Sequence, residues 1–359
     1  MADSPEVAER LGELIEGGIV ERMFPGAVVY ASVGGERVVH AAFGRTTYEE
    51  ATARPIRRDD LWDLASLTKL YTTAVALRLV ERGLLALEEP VRRLVPEVGA
   101  DWTLTDLVSH RTGTTANLLG HAVARGIEPC VSGQGEALWA AIFGCQAERP
   151  LAAGESHYSD VDFLLVQALC ERAAGRGLGE LLRDEVAEPL GLADTMFCPP
   201  DPSRCVPTEV DGRWRHRLVQ GEVHDEMSAT LGGAAGHAGV FGTAADVGRF
   251  CEAWLGMHEG VEGWLSPRLR EEAFRPHSDD FGLGWHLCHE GYFAGLARYG
   301  AVGHLGFTGT SAFLLPSVRA VAVVLTNRVH PKRDAAPSRL GLIALLAEMV
   351  GRMAATRAT

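Results

Sequence analysis

The stretch DLASLTK, residues 63–69, places a serine and a lysine three residues apart at the start of a long apolar run. On a helix, residues at positions i and i+3 share a face, with Cβ atoms about 5–6 Å apart. The Ser66 hydroxyl is then within reach of the Lys69 amine, which can hold or accept its proton. Such a pair makes a serine nucleophilic without a histidine. The sequence therefore marks Ser66 and Lys69 as candidate catalytic residues.

A structural interpretation of the same pair is also open. Ser66 can be a helix N-cap, and Lys69 can extend its amine to solvent along an apolar face. The residues that follow are mostly apolar, including Leu67, Leu70 and Val75. A lysine embedded among them is unusual, because an unpaired ammonium is costly to bury.

Composition limits the functional classes. The chain has 359 residues, 47% hydrophobic residues and a formal net charge of -13, with no basic stripe of the kind that binds nucleic acid. Its acidic start lacks the features of a secretory signal, and no apolar segment approaches the roughly 18 residues of a membrane helix. The seven cysteines include no C-x-x-C pair and fit free thiols. We therefore predict a cytoplasmic protein with no nucleic-acid or membrane partner.

Strand patterns occur at both ends of the chain and helical patterns fill its middle. The predicted fold class is α/β (α+β): a mostly antiparallel sheet flanked by terminal helices, with an inserted all-helical domain. Residues 1–65 and 236–359 form the predicted sheet domain, residues 66–235 form the helical one, and the site lies at their interface. The predicted strands cover 27–33, 37–42, 281–288, 301–304, 310–315 and 320–326. The predicted helices cover 5–22, 66–81, 105–108, 159–174, 178–186, 244–254 and 339–353, and residues 198–235 are predicted as a long loop.

Two other segments carry candidate chemistry. Tyr158 precedes an apolar helix in GESHYSD, residues 154–160, where nearby cations would make it a general base; the alternative is a packing tyrosine. The segment GAVGHLGFTGT, residues 300–310, has a glycine at every third position. Glycine in a strand often marks close approach of a ligand or backbone, and a strand edge can offer an N–H to an oxyanion. His304 adds a group that can titrate near neutral pH, although a glycine-rich loop with a satisfied histidine is the alternative.

Together these segments resemble the serine β-lactamase and penicillin-binding-protein superfamily, most nearly class C β-lactamases and the related esterases and D-amino-acid peptidases. Residues 63–69 are similar to its S-x-x-K motif. Tyr158-Ser159-Asp160 stands at the Y-x-N motif, and His304-Leu305-Gly306 stands where K-T-G is expected. Further similar segments are LVSHRTG (107–113), EPLGL (188–192) and GHAGVFGT (236–243).

The resemblance implies a serine hydrolase. Ser66 would attack a carbonyl and become acylated, while Lys69 and Tyr158 would move the proton as a coupled pair. The backbone N–H groups of Ser66 and Phe307 would form the oxyanion hole. The implied partner is a small-molecule acyl substrate, and no cofactor is implied. His304 joins the candidate catalytic residues, and the candidate substrate-binding residues are Asp160, Leu305 and Gly306.

Two departures from the family pattern affect the expected substrate. Asp160 replaces an asparagine, so an amide donor becomes a carboxylate that only accepts when ionised. His304-Leu305-Gly306 lacks the lysine charge and threonine hydroxyl that commonly help to recognise a substrate carboxylate in the family. We expect weak or absent β-lactamase activity and a preference for esters, lactones or amides without that carboxylate.

Two rival functions stay open. An acyltransferase on the same scaffold would pass the acyl group to an alcohol or amine, and a non-catalytic sensor would retain the fold without turnover. A metal site is not predicted, because His216, His224, Asp225 and Glu226 lack a compact zinc-ligand spacing. The chain has no Walker A sequence and no G-x-S-x-G elbow.

Overall fold

The computed structural model describes residues 5–51, 53–258, 263–334 and 340–357. The helices are α1 (Pro5–Val20), α2 (Thr68–Glu81), α3 (Leu104–Val108), α4 (Leu118–Val123), α5 (Gly135–Phe143), α6 (Asp160–Ala174), α7 (Leu178–Leu182), α8 (Glu188–Leu190), α9 (Glu226–Thr230), α10 (Ala244–Trp254), α11 (Pro267–Ala273), α12 (Ala294–Ala297) and α13 (Leu340–Arg357). The strands are β1 (Gly26–Val33), β2 (Glu36–Gly44), β3 (Trp62–Asp63), β4 (Met196–Phe197), β5 (Val210–Asp211), β6 (Arg217–Leu218), β7 (Val240–Gly242), β8 (His286–Leu287), β9 (Val302–Leu305), β10 (Ser311–Leu315) and β11 (Ala320–Thr326).

The main sheet joins the two ends of the chain. Its six strands run in the order β2-β1-β11-β10-β9-β8, and every pairing is antiparallel. Strand β1 pairs with β11, with Ala27 opposite Thr326, and β10 pairs with β9, with Ala312 opposite His304. Two small sheets, β3-β7-β4 and β5-β6, lie outside it. The predicted fold class, a mostly antiparallel sheet built from both termini, is confirmed.

Both faces of the main sheet are covered. Successive side chains of a strand point to opposite faces, so Val28 and Val29 of β1 enter different clusters. Val29 packs in a cluster with Leu11 of α1 and Leu346 of α13, whereas Val28 packs in the large cluster that contains the helices of the middle region. The terminal helices and α12 therefore cover one face, and the helices of the middle region with α10 cover the other.

Helices α2 and α6 are buried on nearly all sides. Every residue of α2 from Thr68 to Leu77 is buried, as is every residue of α6 from Val161 to Cys170. Helices that are apolar all round belong in the interior of a large domain. Helix α6 begins after Ser159, whose side chain caps the helix by accepting from the Val161 N–H. The first turns of these two helices carry Lys69 and Asp160, so burial of the helices fixes where both side chains begin.

Most predicted elements are present, but four predictions need correction, one of which, the start of the helix predicted over 66–81, is described with the site. The strand predicted over 281–288 is reduced to β8, because Gly284 has a φ of +77° and interrupts the extended chain. The loop predicted over 198–235 contains the β5-β6 hairpin and α9, whose N-cap is Asp225. The helix predicted over 178–186 changes from α7 to a π-helical turn at Arg183–Ala187. Residue 339, at the start of the last predicted helix, lies outside the described residues.

Two other predictions concern the chain as a whole. Within the described ranges no helix is both long and apolar enough to span a bilayer. The cytoplasmic location stays a prediction. The division into residues 1–65 with 236–359 and residues 66–235 also stays a prediction.

Gly248 of α10 lies where the helical layer packs closely on the sheet, and replacing it tests this packing. A Cβ at Gly248 would lie 2.2 Å from Cε1 of Tyr30, whose ring is held by its hydroxyl donating to Glu252 Oε1 at 2.7 Å. We expect Gly248→Ala to lower the free energy of unfolding by about 1–3 kcal/mol because of overpacking, although alanine is the better helix former. Gly17→Ala on α1, where a Cβ meets nothing within 4 Å, should raise it by about 0.5–1 kcal/mol. Urea unfolding measures both, and a stabilised Gly248→Ala protein would contradict the packing argument.

Candidate active site

A bend between β3 and α2 presents Ser66. Ala65 has a φ of +47°, and its N–H donates to Oδ1 of Asp63 at 2.8 Å. The other carboxylate oxygen of Asp63 accepts from the His224 N–H at 2.6 Å. A left-handed alanine costs about 1–2 kcal/mol, which these buried hydrogen bonds offset. Ser66 therefore lies in a 3₁₀ turn ahead of α2, not in the α-helix predicted over 66–81, and it stays partly accessible while its neighbours are buried.

Lys69 is fully buried directly beneath Ser66. Its Nζ lies 3.2 Å from Ser66 Oγ, 2.8 Å from Asp160 Oδ1 and 3.2 Å from the carbonyl oxygen of His237. This geometry excludes the alternative in which Lys69 extends to solvent. Burial lowers the pKa of Lys69, but the carboxylate of Asp160 and the phenol of Tyr158 outweigh it and hold the pKa above its ordinary value. The amine is therefore a charged, hydrogen-bonded group at neutral pH.

Tyr158 completes the group. The Nζ of Lys69 lies 4.8 Å from the centroid of its ring, and Tyr158 lines the same cavity as Ser66. Burial of the phenol raises the pKa of Tyr158, and the nearby Asp160 carboxylate adds to this, while the Lys69 charge opposes it. The structure thus brings Ser66, Lys69, Tyr158 and Asp160 together, although their catalytic roles stay predictions.

The turn after β9 is fastened to the bend before Ser66. Thr308 Oγ1 donates to the carbonyl oxygen of Asp63 at 2.8 Å, and Thr310 Oγ1 donates to that of Leu64 at 2.9 Å. A Cβ at Gly306 would lie 2.6 Å from the Leu64 oxygen, so only glycine permits this approach. Close contact with another backbone segment therefore explains Gly306, and also Gly309, where a Cβ would lie 2.6 Å from the Thr326 oxygen, but not Gly300, where a Cβ would meet nothing within 4 Å.

Phe307 and Ser66 line the same cavity of about 220 Å³. Because the two hydroxyl bonds fix the segments that carry them, their N–H groups are held on one rigid frame. Such preorganised donors are what an oxyanion hole requires. The assignment of the two N–H groups as an oxyanion hole stays a prediction.

His304 and Leu305 lie on the other side of Tyr158. They line a second cavity together with Tyr158, and the His304 ring centroid is 6.1 Å from that of Tyr158. His304 Nδ1 lies 2.9 Å from the Leu305 carbonyl, which only accepts, so this nitrogen carries the proton. Burial, assisted by the charge of Lys69, lowers the pKa of His304 well below its ordinary value. His304 is therefore neutral and supplies no counterpart to a lysine charge.

The cavity around Ser66 also contains charged residues that the sequence did not assign to the site. His237 Nε2 lies 2.9 Å from Asp225 Oδ1, and Arg333 donates to Glu226 Oε1 at 2.7 Å. The other titratable lining residues are Tyr158, Asp160 and His224, and of these Tyr158 and Asp160 were predicted site residues. In the sequence, the run His224-Asp225-Glu226 is the signal for this cluster, although its spacing does not fit a zinc site. Among the described residues no group of three or more His, Cys, Asp or Glu side chains is placed to hold a metal ion.

His110 holds the loop that carries Tyr158. Its carbonyl accepts from the His157 N–H at 2.8 Å, its Nδ1 lies 3.2 Å from the Ser159 nitrogen, and its ring centroid lies 4.5 Å from that of Tyr158. Asp162, fully buried, places Oδ2 3.0 Å from His110 Nδ1. His110 thus contacts Tyr158 and the residues on either side of it. In the sequence it was only part of the similar segment 107–113.

The fold and this arrangement agree with comparisons to known proteins. Residues 11–346 match the β-lactamase family model, and the chain belongs to the β-lactamase family, whose members are serine hydrolases. An Escherichia coli (strain K12) protein named, provisionally, D-alanyl-D-alanine carboxypeptidase is 29% identical over 305 residues, which cover 75% of this chain and 69% of that protein.

Two further comparisons cover nearly the whole chain. A Bacillus subtilis (strain 168) protein named N-acetylmuramyl-L-alanine amidase is 27% identical over 368 residues, 91% of this chain and 82% of that one. The solved structure of EstCE1, described as a hydrolase with promiscuous acyltransferase activity, superposes with a TM-score of 0.77 at 23% identity. The superposition covers 96% of this chain and 98% of the EstCE1 chain, and it shows that the two folds are similar.

Replacing Asp160 tests the electrostatics of the pair. Its carboxylate raises the pKa values of both Lys69 and Tyr158, so Asp160→Asn should lower both, whichever group accepts the Ser66 proton. We expect the acidic limb of the kcat/KM profile to move about 1–3 pH units toward lower pH. The measurement is ester hydrolysis across pH, with Asp201→Asn, an exposed capping carboxylate elsewhere, as the matched control. An unmoved limb would show that Asp160 does not set the protonation of the pair.

Replacing His110 tests the support of Tyr158. His110→Gln should lower kcat by about 10–100-fold and leave KM nearly unchanged, because a misplaced proton-transfer group slows chemistry more than binding. His121→Gln, a histidine on α4 that contacts Cys145, is the control and should leave both constants unchanged. A rise in KM without a fall in kcat would instead assign His110 to substrate binding.

Proposed function

We propose that this protein hydrolyses a small-molecule ester or amide through an acyl-Ser66 intermediate. The observation that carries the proposal is the buried Lys69 amine, which contacts both Ser66 Oγ and Asp160 and lies against Tyr158. The names of the relatives support the reaction class, since they include an amidase, a carboxypeptidase and a hydrolase. An amidase and a carboxypeptidase act on an acyl carbon, and so does the acyltransferase activity that is named with the hydrolase.

In the first step the form of the Lys69–Tyr158 pair that has lost one proton accepts the Ser66 hydroxyl proton as Ser66 Oγ attacks the substrate carbonyl carbon. The carbonyl oxygen becomes an oxyanion that accepts from the N–H groups of Ser66 and Phe307. The tetrahedral intermediate then expels the leaving atom, which takes the proton back from the pair. Water next attacks the acyl carbon and gives a proton to the pair, and when the bond to Ser66 Oγ breaks, Oγ takes that proton back as the acid is released. Because Lys69 and Tyr158 are strongly coupled, the pair exchanges the proton as a unit.

The proposed substrate lacks the carboxylate that a β-lactam carries. Where a lysine would attract that carboxylate, His304 is buried and neutral. Arg333, the cation that lines the Ser66 cavity, is already bonded to the carboxylates of Glu209 and Glu226. A carboxylate entering this site would therefore lose hydration without gaining a charged partner. We place the protein among the esterase and amidase relatives of the class C β-lactamases on this basis.

Acyl transfer is the second candidate function. It shares the acyl-Ser66 intermediate and replaces water by an alcohol or amine, and the description of EstCE1 as a hydrolase with acyltransferase activity supports it. An added alcohol that diverts product from acid to a new ester would favour transfer. A non-catalytic sensor, by contrast, predicts either no adduct or a permanent one.

Intact-mass analysis tests the proposal directly. Short-chain aryl esters should add one acyl group to the protein, the adduct should decay with turnover, and Ser66→Ala should show no adduct. Lys69→Met should lower the acylation rate by about 10²–10⁴-fold, as expected for loss of general acid–base catalysis. A chromogenic cephalosporin should be turned over much more slowly than the aryl ester. Acylation of Ser66→Ala at an undiminished rate would refute the assignment of the nucleophile, and faster cephalosporin turnover would refute the proposed substrate class.

A further inference from the structure

We propose that a second cavity, beside the one that contains Ser66, receives an uncharged aromatic leaving group of the substrate. Its volume is about 200 Å³, and its lining residues are Tyr158, Phe281, His286, Tyr292, His304 and Leu305. The inference rests on the proposed hydrolysis and names the class of substrate for it: esters or amides whose alcohol or amine part carries a benzyl-like ring.

The walls of this cavity are almost entirely rings, since five of its six lining residues carry one. Phe281 and His286 lie with centroids 4.5 Å apart, and His286 meets the Tyr292 ring at 3.6 Å with an interplanar angle of 62°. Tyr158 lies 6.3 Å from Phe281 and 6.1 Å from His304. Aromatic rings attract one another in offset and edge-to-face geometries at such separations. A further ring would find both faces and edges to pack against.

The cavity offers no charge to an ionic group. Burial lowers the pKa of His286 to about 4, and burial also lowers the pKa of His304 well below its ordinary value, so both are neutral at pH 7. The nearby carboxylate of Asp280 does not line the cavity, and it accepts from Ser156 at 2.8 Å and lies 3.0 Å from His289 Nε2. A substrate carboxylate would have no cationic partner here. A cation would feel the positive field of Lys69 that already opposes protonation of His304.

The position of Tyr158 identifies which part of the substrate enters. Tyr158 lines both cavities, whereas Ser66 and Phe307 line only the first. The carbonyl carbon and its oxygen must lie next to Ser66 and the Phe307 N–H, so the acyl part belongs to the first cavity. The leaving oxygen takes its proton from the side of Tyr158. The group bonded to that oxygen therefore extends past Tyr158 into the aromatic cavity, and cleavage releases it as a neutral alcohol.

Two isomeric esters separate the two sides of the substrate. Benzyl acetate carries its ring on the leaving alcohol, and methyl phenylacetate carries its ring on the acyl group. The alcohols released, benzyl alcohol and methanol, are both poor leaving groups of similar basicity. We expect kcat/KM for benzyl acetate to exceed that for methyl phenylacetate by about tenfold or more, the size expected for burial of one ring contact. A preference for methyl phenylacetate would overturn the assignment of the cavity to the leaving group.

Filling the cavity supplies the matching variant test. His286→Trp should lower kcat/KM for benzyl acetate at least about tenfold more than for ethyl acetate, because the larger ring occupies the space for the leaving group. Phe143→Ala is the control, since Phe143 stacks on Trp139 elsewhere and should leave the ratio of the two esters unchanged. Equal losses on both esters in His286→Trp would contradict the inference.

Binding of the product separates this inference from the proposed reaction. Saturation-transfer NMR should show benzyl alcohol bound to Ser66→Ala and released by His286→Trp in the same background. If benzyl alcohol binds in this way but no ester acylates the protein, the aromatic cavity stands and the hydrolase proposal fails. If esters are hydrolysed and benzyl alcohol does not bind, the hydrolase stands and the cavity assignment fails. Displacement of benzyl alcohol by tetramethylammonium would overturn the choice of an uncharged group.

Discussion

Burial of the Lys69 ammonium is the constraint on which the site depends. Moving an ammonium out of water costs several kcal/mol, and only close charged and polar partners make it tolerable. Lys69 has three such partners within 3.2 Å: Ser66 Oγ, Asp160 Oδ1 and the His237 carbonyl. They come from three distant parts of the chain, so the ammonium can be satisfied only when α2, α6 and the segment before β7 are all in place. The candidate nucleophile is therefore aligned by the same interactions that make the buried charge acceptable.

A second set of bonds connects this group to the sheet. Thr308 and Thr310 donate to the carbonyl oxygens of residues 63 and 64, and Gly306 allows the two backbones to approach. The turn that carries Phe307 is therefore hydrogen-bonded directly to the bend that carries Ser66, and these bonds involve no residue of the helical layer. Tyr158 depends on different support, because His110 holds its loop from the helical side. Separate hydrogen-bond networks thus position the segments that carry Ser66 and Phe307 and the loop that carries Tyr158. Lys69 lies between the two.

The sequence predicted what depends on local pattern. Alternation and helical periodicity identified the strands of the main sheet and helices α2, α6 and α10, and the S-x-x-K spacing identified Ser66 and Lys69. It did not predict the features that depend on distant partners. The hydrogen bond from His224 to Asp63 joins residues 161 positions apart, and the bond from Arg333 to Glu226 spans 107 positions. The role of His110 was also not visible, because it arises from backbone contacts to residues 157 and 159 and not from any motif of its own.

The two departures from the family pattern act on the site in the same direction. An aspartate in place of asparagine at position 160 adds a negative charge 2.8 Å from the Lys69 amine, which favours its protonated form. A neutral histidine in place of lysine at position 304 removes a positive charge that would have opposed it, since Lys69 and His304 influence each other through space. Both changes favour the protonated form of the Lys69–Tyr158 pair. They also leave the far side of Tyr158 without charge, where aromatic side chains now form the wall. Together the two departures would link a more basic Lys69–Tyr158 pair to the proposed substrate, in which an uncharged ring takes the place of a carboxylate.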